Sequence, residues 1–453
     1  MSLEIESGLM TPPKRKGKHW LFGSGLEFWQ RPIPFMESLL PEYSDLVRVR
    51  FANNFVHLVS SPELAKQVLQ KTNKTYVGFP MVLQSIRSVG GENLFTSQGD
   101  DWKAQRKMLQ PSFHKRAVSG FGLIMVEEAK RVMSEWDTTS EVSIANDMQD
   151  VTFNIFARSL FSTNLAGQKT LRDDYAMGAN YITYRIENPL ALPIIFPTPG
   201  NMKIRGAVKR ISDHLEDMIV ERRNSDETYE DFLQMLMESR YEDGEPLEEG
   251  LMRNQAKMFL FGGNGPPSKI ITWAIYYLSK FPDVEKKLHA ELDTVLDGRE
   301  PTMEDLPQLT YLQMIIDELL RLYPTAWALP RLCAGGDNLG GYKIPAGAGV
   351  WVLLYTLHRH PDYWENPNDF NPDRFLPEEV AKRPAHAYIP WGAGPRMCIA
   401  NQISMLQIKL VLAMVCQKYR FTCPDDYIVN PKIGFPLGPE GPVMMTPVKR
   451  TKV

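Results

Sequence analysis

The stretch 390–400, Pro-Trp-Gly-Ala-Gly-Pro-Arg-Met-Cys-Ile-Ala, holds the group best suited to chemistry, a single cysteine in a glycine- and proline-bearing loop. Regular helix or strand is excluded until just past Cys398, where the apolar run 399–415 begins. Cys398 is therefore expected at a helix N-terminus. There, orphan N–H groups and the positive end of the dipole favour a thiolate. A thiolate so placed serves as a metal ligand, with the amides of the loop as its surroundings. A buried structural cysteine beside a turn fits the same local pattern, so both readings stay open on this stretch alone.

Other groupings carry polar chemistry. Trp102 and Arg106 are four apart and share one helix face, a spacing that commonly gives a surface cation–π contact. Glu318 and Arg321, three apart, can pair on another helix. Arg331 follows Pro330, and Arg374 sits in Asn371-Pro372-Asp373-Arg374-Phe375. The segment 261–273 reads Phe-Gly-Gly-Asn-Gly-Pro-Pro-Ser-Lys-Ile-Ile-Thr-Trp within an otherwise helical stretch, 251–281. Each interior proline removes an i→i−4 hydrogen bond and clashes with the preceding turn, at about 3 kcal/mol or more. The helix is expected to break there, freeing the carbonyls of Gly262 and Gly263 to face a substrate or an ordered water. Asn264 and Ser268 remain as hydrogen-bonding side chains, and Asn264 would orient a polar substrate atom.

These pieces, in this order, resemble the cytochrome P450 family over nearly the whole chain. The cysteine loop resembles the family's haem signature, Phe-x-x-Gly-x-Arg-x-Cys-x-Gly. The pattern is met at Gly394, Arg396 and Cys398, with Trp391 for the phenylalanine and Ala400 for the last glycine. The resemblance implies haem b (iron protoporphyrin IX) with Cys398 as its proximal thiolate and Trp391 packed beside it. It implies Arg396, Arg331, Trp102 and Arg106 as propionate contacts, and Glu318, Arg321 and Arg374 as a folding cluster. It also implies a lipophilic substrate met by Phe79, Phe261, Trp327, Ala328 and Leu437, under a mobile lid at 188–197. Residues 75–97 would be a loop-like segment crossing the distal face.

The long helix departs from the family. Gly265 stands where the family has an acid and Pro266 where it has an alcohol, the pair that relays protons to dioxygen. Neither residue has a side-chain donor. With Asn264, Gly265, Pro266 and Ser268 as the catalytic stretch, the departure points first to chemistry of secondary metabolism without dioxygen. The substrate would carry an N–O or O–O bond, cleaved with nitrene-like or oxo-like transfer, cyclisation or rearrangement. The alternative is a conventional monooxygenase fed by ferredoxin or flavodoxin, with protons relayed by water or by the substrate.

The elements that must position these groups read as mainly α with a small β region, one domain over 21–453 after a flexible basic arm at 1–20. Residues 46–51 and 55–59 suit a hairpin around Asn53-Asn54, and Pro62 suits the first turn of the next helix. Helical periodicity covers 118–165, 168–188 and 200–223, and Asp243-Gly244 suits a surface turn. The net charge of −3 implies no nucleic-acid partner. Four cysteines without paired metal spacing suit a reducing cytoplasm. No run of about 18 or more apolar residues marks a membrane anchor, and Glu4 and Glu6 argue against a signal peptide. A cytoplasmic, bacterial-type monomer is the expectation.

Overall fold

The computed structural model describes residues 9–43, 45–113, 120–188, 191–227, 229–241 and 244–451. They are mainly helical, with small sheets of five, three, two and two strands, and form two compact units.

The first unit comprises residues 1–84, 321–370 and 376–398. Its sheet is built from β1 (Leu46–Phe51), β2 (Asn54–Val59), β3 (Tyr76–Gly78), β4 (Leu329–Cys333) and β5 (Gly349–Val352), in the order β1-β2-β5-β4-β3. The expected hairpin is present, with Leu46 opposite Val59 and Phe51 opposite Asn54. Helix α1 (Pro62–Gln70) follows with proline in its first turn, where a missing N–H costs nothing. Its Ala65, Val68 and Leu69 join Val59, Tyr76, Cys333, Val350 and Val352 in a core closed to water. The basic segment read as a flexible arm is tied at several points, Met10 bridging to Tyr342 and Lys14 to Arg48 of β1. The Arg48 N–H donates to the Pro13 carbonyl at 2.7 Å, and Arg15 pairs with Glu27 at 2.9 Å. Residues 1–8 lie outside the described residues.

The second unit comprises residues 85–320, 371–375 and 399–453. It holds α2 (Gly99–Leu109), α3 (Ile144–Phe161), α4 (Lys169–Glu187), α5 (Pro199–Arg223), the long α6 (Glu249–Lys280) and α7 (Asn401–Lys418). The expected helix over 118–165 is in fact two, Phe121–Ser134 and α3, separated by a turn and a two-residue strand. Residues 75–97 are not the loop the sequence suggests. They contain β3 and a helix, Pro80–Gly90. Pro80 sits at its start, where proline is at home, and Gly91 closes it at φ +68°. Of the expected surface turn, Gly244 has φ +88°, while Asp243 lies outside the described residues.

The expected break at Pro266-Pro267 does not occur: α6 runs unbroken from Glu249 to Lys280. Gly265 relaxes the usual clash before proline, because it has no Cβ to meet the ring. Packing supplies the rest. Ile270, Ile271, Trp273, Ala274 and Ile275 are sealed from water, and each large apolar side chain buried this way stabilises by roughly 1.5–3 kcal/mol. Together they outweigh two prolines at about 3 kcal/mol each. The lost rungs are real: without N–H at 266 and 267, the Gly262 and Gly263 carbonyls lack their i+4 donors.

Helix α6 also presses closely on α3. A Cβ on Gly263 would lie 2.0–2.4 Å from ring atoms of Phe156, which is itself 1% exposed. Gly263→Ala is therefore expected to lower stability by about 1–3 kcal/mol through overpacking, read as a lower urea midpoint. Trimming Phe156 to leucine in the same chain should return part of the loss.

Candidate functional site

In the first unit the cysteine loop is fixed by its own backbone and by α1. The Cys398 N–H donates to the Trp391 carbonyl at 2.9 Å, Gly392 N–H to Ile389 at 2.9 Å, and Met397 N–H to Gly394 at 3.1 Å. Gly392 and Gly394 have φ of +74° and +71°, the left-handed region that disfavours a side chain. At Gly394 the constraint is double, because a Cβ would stand 2.3 Å from the Leu69 carbonyl oxygen. Arg396 Nε donates to Asn73 Oδ1 at 2.9 Å, so its guanidinium is aimed from just beyond the end of α1. Cys398 emerges half-buried, shortly before α7 begins at Asn401. Two of the other cysteines are poor ligands. Burial pushes the Cys416 thiol up to about 12 and raises that of Cys333 as well.

Arg331 tests whether an anionic group belongs beside this loop. It lies mid-strand in β4, opposite Gly78 and Val350. Its Nη1 donates to the Pro330 carbonyl at 2.9 Å, but its buried Nε has no hydrogen-bond partner. Burial pulls its pKa down to about 10. A guanidinium with a buried nitrogen left unpaired and no counter-charge is costly, and a carboxylate is its natural complement. The residues therefore fit a carboxylate-bearing cofactor. In the same unit, the Trp327 ring packs 5.9 Å from that of Phe28, and Phe79 packs edge-on to Trp351 at 5.7 Å. Ala328 is half-buried.

The second unit holds the long-helix residues, and it does not bring them together as the sequence suggested. Gly262 is exposed, with nothing within 4 Å of where its Cβ would be, whereas Asn264 turns to the opposite side. The Thr152 hydroxyl of α3 lies 3.0 Å from Asn264 Oδ1 and 3.1 Å from its carbonyl oxygen, and Asn264 is 7% exposed. Ser268 is spent on its own helix, its hydroxyl donating to the Gly265 carbonyl at 2.8 Å. A Cβ on Gly265 would meet the Pro436 ring at 3.2 Å. Phe261 packs on Tyr175 of α4 at 4.8 Å. Leu437 is wholly buried and presents no surface. Trp102 is buried on α2, and Arg106 lies one turn on. The apolar segment read as a lid exposes Leu192, Ile195 and Phe196; Pro189 and Leu190 lie outside the described residues.

Glu318 is fully buried. It accepts the Asn371 N–H at 2.8 Å and stands 3.4 Å from Arg374 Nε. Arg321 donates to the carbonyls of His358, Pro367 and Asp369. Two residues with positioning roles escaped the sequence reading. Asn73, at φ +72°, holds Arg396, and only its type in a turn hinted at it. Thr152 claims Asn264 from 112 residues away, with no local signal.

A cysteine held in a rigid glycine loop, with cationic side chains beside it, defines a thiolate site for a metal-bearing cofactor. The family profile described as "Cytochrome P450" matches residues 12–446. The chain is 32% identical to cyclooctat-9-en-7-ol 5-monooxygenase of Streptomyces melanosporofaciens, over 90% of this chain and 91% of that one. It is 29% identical to pentalenene oxygenase of Streptomyces avermitilis, over 90% and 91%. It is 30% identical to the bifunctional cytochrome P450/NADPH–P450 reductase of Bacillus cereus, over 93% of this chain and 41% of that one. The chain belongs to the cytochrome P450 family, and is thereby a haem-thiolate oxidoreductase with a haem-iron cofactor. Among the described residues no helix is long and apolar enough to cross a membrane.

Proposed function

We propose that this chain is a monooxygenase of secondary metabolism acting on a lipophilic, terpenoid-like substrate, with electrons from a ferredoxin or flavodoxin. The relatives named as acting on cyclooctatenol and pentalenene support the substrate class. The observation that carries the reading is the uninterrupted α6, which keeps a continuous helical wall where a break would have unmade it. Haem b, when bound through Cys398, supplies dioxygen activation, favoured by the electron push of the thiolate. The chain's own part is positional. The loop presents Cys398 already oriented, and Arg331 and Arg396 supply charge for the carboxylates of the haem. On α2, Trp102 supplies an indole N–H and Arg106 a charge for the same kind of group. Phe79, Phe261, Trp327 and Ala328 supply apolar surface for a substrate without charge of its own.

A second reading keeps its own support in Gly265 and Pro266, which offer no side-chain donor. In it the substrate brings an N–O or O–O bond that is cleaved without dioxygen. One experiment separates the two. The haem-loaded protein is given terpene alcohols with reduced ferredoxin under isotopically labelled dioxygen, and N-acyloxy amines under argon without reductant. Labelled oxygen in the product is the expected result. Turnover of the N–O substrate alone would replace the first reading by the second.

A further inference from the structure

Gly265 and Pro266 leave one stripe of α6 without a polar side chain, and the next residue along that stripe is a lysine. Gly262, Gly265, Pro266 and Lys269 recur at three- and four-residue steps and so share a face. The first two have no side chain and the third has a plain ring. Lys269 is the first residue along the stripe able to hold or release a proton. Helical side chains lean towards the N-terminus and cover the turn before their own Cα. That lean directs the Lys269 stem towards the turn that carries Gly265 and Pro266.

Its stem is steered by a second element. A Cβ on Gly438 would lie 2.6 Å from Lys269 Cδ, 2.8 Å from Cγ and 3.2 Å from Cε, so only glycine leaves the lysine its course. The adjoining turn, 433–439, has no ionisable residue, and neither do positions 262, 265, 266, 272 and 273 on this side of the helix. Among the described residues Lys269 makes no hydrogen bond or ion pair, and burial alone lowers its pKa. It is nevertheless only half-buried, so the amine retains a route to water. A proton donor needs both properties: a reduced hold on its proton and a way to regain it.

We propose that Lys269 is the proton donor that stands in for the missing acid and alcohol, a role that rests on the monooxygenase reading above. The overall change is RH + O2 + 2e− + 2H+ → ROH + H2O. The O–O and C–H bonds break, and C–O and O–H bonds form. The electrons come from reduced ferredoxin or flavodoxin. The protons leave the Lys269 ammonium one at a time, and water on its exposed side restores each.

The test uses the full haem-loaded chain and three variants, Lys269→Met, Lys269→Arg and Lys269→His. The first readout does not involve turnover. Trace acetic anhydride labelling across a pH series, with each lysine quantified by mass spectrometry, should show Lys269 becoming reactive at lower pH than the exposed lysines of the same sample. Labelling in step with those lysines overturns the proposal. The second readout is coupling, meaning oxygenated product per electron pair consumed. Lys269→Met should lower it about tenfold or more, with the electrons appearing as hydrogen peroxide, since general acids contribute about 100-fold or more where water cannot replace them. Lys269→Arg keeps the charge but holds its proton too tightly, and should resemble the methionine variant. Lys269→His should recover part of the coupling. A retained ferrous–carbon monoxide thiolate band checks that each variant is folded. Unchanged coupling in Lys269→Met overturns the lysine role while leaving the monooxygenase reading intact. A wild-type chain that yields no dioxygen-derived product removes both.

Discussion

Replacing Cys398 by alanine is expected to abolish the thiolate band of the ferrous–carbon monoxide spectrum and to bring dioxygen-dependent turnover below detection. The reason is the uniqueness of the position. Cys398 is half-buried and held in a glycine loop by its own N–H, whereas Cys423, also half-buried, lies beside Ser279 of α6. Cys416 lies buried inside α7 with its thiol pushed up to about 12, and Cys333 is closed into the first unit's core. Neither can move to replace the lost sulfur. Cys416→Ala should accordingly leave the band in place, at a modest cost in stability. Cys398→His, which offers nitrogen at the same point, should keep some haem but shift its absorption away from the thiolate position. A thiolate band that survived in Cys398→Ala would show that another sulfur holds the iron.

The second large effect is expected at Glu318→Ala, which should lower unfolding stability by about 3–5 kcal/mol. The carboxylate is fully buried, accepts the Asn371 N–H and faces Arg374, whose side chain is 11% exposed. Alanine leaves that guanidinium out of water beside a cavity, and the Asn371 N–H without its acceptor. Glu318→Gln keeps an acceptor for Asn371 and loses only the charge, so its loss should be distinctly smaller. Urea unfolding of the haem-loaded protein measures both, and equal losses in the two variants would show that charge plays no part. Since this cluster folds the chain without touching substrate, the coupling of surviving Glu318→Gln enzyme should match that of the parent.

What the sequence disclosed and what it withheld divide along physical lines. The hairpin 46–59, the proline-started α1 and the long α6 follow from alternation, turn chemistry and helical period, which are local properties. The cysteine loop was legible for the same reason, since its glycines and proline declare a loop where no buried apolar stripe competes with them, as one does at 262–267. The Pro80–Gly90 helix is hidden in a stretch, 75–97, whose mixed aromatics and glycines look loop-like, because its proline and glycine stand at its ends and not inside it. The unbroken course past Pro266 was missed because its cause is distant: five buried side chains and a ring from α3 outweigh a local penalty. Asn264 looked like a site residue until Thr152, remote in sequence, proved to hold it. Lys269 gained meaning only when Gly438 was seen beside it.

The two missing rungs at Gly262 and Gly263 have a mechanical consequence. A helix resists bending through its hydrogen bonds, and this one lacks two in succession. Any bending of α6 is expected to concentrate at 262–267, between the fully hydrogen-bonded segments 249–261 and 268–280, and the packing of Phe156 and Thr152 against that stretch is what opposes it.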